Sequence, residues 1–343
     1  MAWGKLGRAG IGAWMAAGAA LAGSFGTVHA QSLTYSRGQT VSPAYEGFEV
    51  NPDGSYSLVF GYMNRNWDEE LDIPVGEDNF FSPGPADRGQ PTHFLPRRNR
   101  FTFKVRVPAD FGDQELTWTL RIRGETKVAY ASLRQDLLID NMVIASETGA
   151  LGAGRSDPET RSNTPPKIML DGPETVSARV GQPVTLAAWV TDDGLPVTPA
   201  QRRERARAQR EAAGGAAAAA TPAASQPADT LSPEMRALQR AFTEPDRVTV
   251  NKALGLHFAW FVYRGGGEAT FEPIQIKTWE DTRAWMNSPW APFWTAPPTP
   301  EDDRWLVEVT FDEPGTYVLR GRADDGSLYA DQEVTVNVSP LAN

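Results

Sequence analysis

The chain has 343 residues, with 33 Lys+Arg against 43 Asp+Glu for a net charge of −10, and it contains no cysteine. At roughly 150 residues per domain the length suits about two domains, and 41% hydrophobic with 10% aromatic content supplies packed cores rather than wholesale disorder. Zero cysteine excludes disulfides, thiolate metal sites, cysteine nucleophiles and a lipid-modified N-terminal cysteine, and the acidic balance argues against a nucleic-acid partner, which needs basic surface to displace counterions.

Lys5 and Arg8 precede an uncharged Ala- and Gly-rich run from Ala9 to Val28, which ends in Val28-His29-Ala30. A positive start, an apolar stretch and small residues at −3 and −1 predict a secretory signal peptide over 1–30, cleaved after Ala30. The glycines and alanines lower the hydrophobicity that an uncleaved anchor needs. No later stretch reads as a membrane span, so the expected location is secreted or periplasmic.

Residues 31–147 read as an N-terminal β-sandwich. Tyr56, Leu58, Phe60 and Tyr62 alternate with Ser57, Val59, Gly61 and Met63, after an Asp53-Gly54 turn signal. Phe101, Phe103, Val105 and Val107 share one face, and Leu116, Trp118, Leu120 and Ile122 repeat the pattern. A period of two with one polar face marks half-buried antiparallel strands, and the region to about Ile144 reads as strands without a helix. Residues 148–166, rich in Gly, Ser, Thr and Pro, read as a linker.

Strands resume at Lys167, with Val184, Leu186, Ala188 and Val190 on one face, then Leu256 to Val262, Trp305 to Phe311, Thr316 to Ala323 and Tyr329 to Val338. Residues 197–246 interrupt them. Arg202, Arg203, Arg205, Arg207 and Arg210 cluster there, an alanine tract follows, and Ser232-Pro233-Glu234 predicts a helix through Phe242. Basic and acidic residues nearly balance, so this is a solvated, partly helical, low-complexity insertion rather than a polyanion patch.

Val180-Gly181-Gln182-Pro183, Val190-Thr191-Asp192-Asp193-Gly194, Asp312-Glu313-Pro314-Gly315-Thr316-Tyr317 and Ala323-Asp324-Asp325-Gly326 carry a resemblance. With them, 167–338 resembles the PKD and related immunoglobulin-like β-sandwich domains of secreted bacterial proteins, while the first domain resembles a domain of similar proteins to which no activity attaches. The resemblance implies an all-β chain of two β-sandwich domains, the second immunoglobulin/PKD-like, and a binding or spacer role rather than catalysis. Tyr317 falls where such sandwiches place a corner tyrosine. The insertion and a long Trp-rich segment depart from the family.

Three groups could carry chemistry. Asp192, Asp193, Asp324 and Asp325 sit on loops expected at one end of the second sandwich, with Asp331 near; four carboxylates suit calcium, although Asp-Gly pairs are ordinary turn residues. Trp279, Trp285, Trp290, Trp294 and Trp305 offer indole faces for a glycan or a protein, or they pin their own proline-rich loop. Asp68-Glu69-Glu70 and Asp72 read as an acidic turn, and His93 and His257, in different domains, give no histidine-rich metal site. His257 is expected at a strand surface or an interface. No nucleophile elbow or phosphate-loop signature is present. The expected function is a secreted, non-catalytic binding or structural module of the cell envelope acting through protein contacts. A carbohydrate-binding protein is the alternative, and a hydrolase with an interdomain site a further one.

Overall fold

The computed structural model describes residues 37–151, 156–212, 252–278 and 297–341. The segment expected as a signal peptide, the helix expected over 232–242 and Trp279, Trp285, Trp290 and Trp294 lie outside the described residues. The described chain is mainly β-strand, arranged as two sandwiches of two stacked sheets each, with few helices.

The first half contributes β1 (Val41–Val50), β2 (Tyr56–Asn64), β3 (Leu71–Asp72), β4 (Asn79–Ser82), β5 (His93–Phe94), β6 (Arg97–Val107), β7 (Leu116–Ile122) and β8 (Glu125–Ala131). One sheet has the order β1-β2-β6 and the other β4-β7-β8, while β3 and β5 form a short pair. The alternating residues of β2, β6 and β7 face inward as their period requires, except Phe101, whose left-handed backbone (φ 48°) beside a register shift of the β2–β6 pair lets it pack with Val59 and Leu328 instead of the first core. Phe60 stacks on Phe103 with ring centroids 5.4 Å apart, and Trp118 meets Phe103 edge-on at 5.0 Å. Buried Asn79 serves this aromatic core: its Oδ1 accepts the Trp118 indole N–H at 2.9 Å, and its amide donates to the carbonyls of Ile73 and Pro91.

Two expectations for this half are corrected. β2 is not half-buried: Val59 on the face expected to be polar is 1% exposed, like Phe60 on the core face. The region to Ile144 is not all strand either. After a 3-10 turn over Gln135–Leu137 comes α1 (Asn141–Thr148), capped by Asp140, whose carboxylate accepts the Val143 N–H at 2.9 Å. Its buried Ile144 and Ala145 pack with Val59, Phe101, Ile139 and Leu328, so a tertiary contact selects a helix that periodicity alone does not show. The stretch read as a linker carries α2 (Pro158–Ser162), capped by Asp157, with Thr160 and Asn163 buried.

The second half contributes β9 (Lys167–Leu170), β10 (Thr175–Arg179), β11 (Val184–Thr191), β12 (His257–Arg264), β13 (Ala269–Glu272), β14 (Arg304–Phe311), β15 (Gly315–Asp324) and β16 (Tyr329–Ser339). One sheet runs β13-β14-β11-β9 and the other β10-β16-β15-β12, with β10 parallel to β16 and the remaining pairs antiparallel. This is immunoglobulin-like order, with the β13–β14 hairpin in one layer and the β15–β16 hairpin in the other. Trp260 on β12, 1% exposed, fills the centre with Leu186, Val309, Phe311 and Leu319. The Tyr317 hydroxyl donates to the Glu313 carbonyl at 3.0 Å, the expected tyrosine corner. Gly321 faces Trp260 across the β12–β15 pair, and a Cβ there would meet the Phe258 ring at 2.6 Å.

Between β11 and β12 the described part of the insertion is α3 (Pro199–Ala212). The helix covers the arginine cluster rather than following it. Thr198-Pro199-Ala200-Gln201 supplies a capping box: the Gln201 N–H donates to the Thr198 hydroxyl at 3.2 Å, and the Gln201 side chain accepts the Thr198 N–H at 2.8 Å. Arg207 and Glu211, one turn apart, pair at 2.8 Å.

Candidate functional site

The side of the β1-β2-β6 sheet that sequence periodicity marks as polar lies against the second sandwich, and two arginines of β15 fill the seam. Arg320 and Arg322 alternate with inward-facing Leu319 and Ala323, so they project from the outer face of their sheet. Both are nevertheless buried, at 6% and 4% exposed. Arg320 donates to the Thr102 carbonyl of β6, and Arg322 donates to the Phe101 carbonyl at 3.3 Å. Each charge is balanced from β16: Arg320 pairs with Glu333, and Arg322 makes two 2.7 Å bonds to Asp331. Each guanidinium also lies over an aromatic ring, Arg320 at 3.4 Å from the Tyr263 centroid and Arg322 at 4.1 Å from that of Tyr329. Asp331, expected near the carboxylate loops, is therefore a seam residue.

The rim of the seam is bonded as well. The Tyr263 hydroxyl donates to the Gly89 carbonyl, and burial pushes its pKa up to about 12. Arg264 donates to the Gln90 carbonyl at 2.7 Å and forks onto Asp87 at 2.7 and 3.1 Å, while the Thr92 N–H donates to the Tyr263 carbonyl at 3.2 Å. Tyr263 belongs to the core of the first sandwich although its strand is in the second. The residues 35–343 thus form one compact unit.

His93 sits on β5 between two carboxylates of the acidic turn. Its Nδ1 is 2.8 Å from Asp72 and its Nε2 is 2.8 Å from Glu70. Burial alone would lower its pKa, but the hydrogen bonds and negative charges of both partners outweigh that and raise it to about 9. At neutral pH this is an imidazolium clamped by two anions, with both ring nitrogens donating. The sequence separated these residues into an acidic turn and an isolated histidine; the β3–β5 pairing, with Asp72 opposite His93, joins them.

The paired Asp loops do converge. Asp192 and Asp324 line one cleft of about 790 Å³ at the end of the second sandwich, together with Thr198, Gln201, Lys252 and His257. The four carboxylates serve mostly internal partners. Asp193 accepts from the Thr164 N–H and hydroxyl, and Asp192 from the Gly194 N–H. Asp324 accepts from the Gly326 N–H at 2.7 Å and lies 2.6 Å from Lys252 Nζ. Asp325 accepts from the amides of Ser327 and Leu328 and from the Asn163 side chain; burial, reinforced by the Asp324 charge, pushes its pKa up to about 7. Burial also raises Asp192. Among the described residues no group of three or more His, Asp or Glu side chains is placed to hold a metal ion. His257 is buried rather than at a strand surface, with Nε2 at 3.0 Å from the Ile276 carbonyl.

Trp305 on β14 packs edge-on to Phe258, centroids 5.9 Å apart, against the core of the second sandwich. Among the described residues no helix is long and apolar enough to cross a membrane.

No family model and no curated protein matches the chain. Solved structures that align with it include a chimeric titin Z1Z2 functionalized with a KLER exogenous peptide from decorin, at 9% identity, 88% of this chain, 99% of that chain and a TM-score of 0.21. The S-layer protein rSbsC(31-844) aligns at 10% identity over 89% of this chain and 29% of that one, TM-score 0.22. The Clostridium thermocellum CbhA fibronectin(III)-like modules align at 10% identity over 89% and 97%, TM-score 0.20. Scores this low carry no weight for the arrangement, and the immunoglobulin-like order of the second half rests on its own strand pairing.

Proposed function

We propose that the chain is an exported, non-catalytic binding or structural module of the cell envelope or extracellular space, acting through protein–protein contacts. The observation that carries this reading is the arginine seam. The junction between the two sandwiches, where an interdomain catalytic cleft would lie, is occupied by Arg320, Arg322, Leu328 and α1. A buried, charge-balanced junction holds two sandwiches at a fixed mutual orientation, whereas interdomain contacts without such a core leave hinge motion as the default. Fixed orientation suits a spacer or a docking unit.

The signal segment over 1–30 and its cleavage after Ala30 belong to the same proposal. The test is an envelope-fraction pull-down with the full chain, before and after glycosidase treatment, beside a hydrolase substrate panel. The reading expects a protein partner whose capture survives deglycosylation and whose affinity falls when Arg320 and Arg322 are both changed to Ala. Capture abolished by deglycosylation would favour the carbohydrate reading, and turnover in the substrate panel would overturn the non-catalytic one.

A further inference from the structure

Lys252 Nζ lies 2.6 Å from Asp324 Oδ2, with only 1% and 7% of the two side chains exposed. The contact is close yet falls outside hydrogen-bond geometry. The other carboxyl oxygen, Oδ1, is held by the Gly326 N–H at 2.7 Å. Asp192 lines the same cleft as this pair, and its buried Oδ1 has no partner. Two charges taken this far out of water lose solvation that their attraction only partly repays, and a lysine amine that has given up its proton is a nucleophile.

We propose that Lys252 and Asp324 condense to an intramolecular isopeptide bond that ties the segment before β12 to the end of β15. A proton passes from the ammonium to Oδ2, giving an amine beside a neutral carboxylic acid. Nζ then attacks Cγ, with negative charge developing on Oδ1, where the Gly326 N–H meets it. The Nζ–Cγ bond forms, the Cγ–Oδ2 bond breaks, and Oδ2 leaves as water with the acid proton and one amine proton. Nothing is oxidised or reduced. Asp192, which lines the same cleft with its buried Oδ1 unpartnered, is assigned the proton transfers, one to Oδ2 and one back from Nζ. The fold supplies the proximity that makes the condensation unimolecular. In a chain without cysteine the bond does the work of a disulfide, closing a long loop of the unfolded state.

Peptide mapping of the purified full chain tests this. Trypsin is expected to leave the bond after Lys252 uncut, and the peptide holding Lys252 is expected joined to the one holding Asp324, one water lighter than their sum. Asp324→Asn is expected to give the same linkage with loss of ammonia, Lys252→Arg none, and Asp192→Asn to form it about a hundredfold more slowly. Separate, unlinked peptides from the wild-type chain overturn the proposal. So does a water loss confined to the peptide holding Asp325-Gly326, which marks a succinimide. An undiminished rate in Asp192→Asn overturns the role given to that residue.

Discussion

Arg320 of β15 donates its guanidinium N–H to the main-chain carbonyl of Thr102 in β6, a bond that leaves one sandwich and ends in the other. The same guanidinium covers the Tyr263 ring at 3.4 Å and pairs with Glu333. One side chain thereby satisfies a carbonyl, an anion and an aromatic face at the junction.

Replacing Arg320 by Ala leaves the Thr102 carbonyl and Glu333 without their donor. A buried acceptor orphaned in this way costs about 1–3 kcal/mol. The expected result in urea unfolding is a lower midpoint for Arg320→Ala, with Arg320→Lys intermediate because an ammonium lacks the fork that serves carbonyl and carboxylate together.

Tyr317→Phe removes the corner bond to Glu313 but keeps the ring against Phe311, whose centroid is 4.5 Å away. The expected loss is about 1 kcal/mol by denaturant titration. Tyr317→Ala is expected to cost several times more through the cavity it leaves.

Gly326 has φ +90°, and a Cβ there would collide with the Ala253 carbonyl and lie 2.6 Å from Leu254 Cα. Gly326→Ala meets both a disfavoured backbone conformation and backbone it cannot push aside. A loss of more than about 2 kcal/mol is expected, together with displacement of Lys252 from Asp324, read by amide hydrogen exchange over 252–256.

His93 and Asp325, both shifted upward, contribute stability that falls as pH rises. His93 is raised from 6.5 to about 9, so its contribution is complete below 6.5 and is lost as pH rises through 9. Asp325 is raised from 3.8 to about 7; its folded state also binds the proton more tightly, so stability falls as pH climbs from 3.8 to 7. Each contributes a decline in melting temperature across its own window, while His257, whose pKa burial lowers, works against Asp325 below 6.5. Asp325→Asn is expected to flatten the lower window and His93→Gln the upper one.

Much of the fold was legible because β2, β6, β7, β14, β15 and β16 carry clean alternation, and the corner tyrosine is fixed by local chain geometry. What sequence could not separate was solvent from a second sandwich. Arg320 and Arg322 occupy the outward positions of β15, where arginine ordinarily faces water, and only the apolar Val59 on an outward position of β2 hinted at a cover, since Phe101 reads with inward Phe103 and reaches the seam beside a register shift. The α3 start was readable in Thr198-Pro199-Ala200-Gln201, a capping signal obscured by the arginine cluster after it. The His93 clamp was not readable, since its carboxylates lie 21 and 23 residues away and meet it only through a two-residue strand pair. The convergence of Asp192 and Asp324 on one cleft followed from loop topology, whereas the lysine that pairs with Asp324 there did not.

Differential scanning calorimetry of the full chain tests the joined-sandwich account most directly. One transition is expected, with calorimetric and van't Hoff enthalpies equal, splitting into two when Arg320 and Arg322 are both changed to Ala. Two separate transitions in the unaltered protein would contradict it.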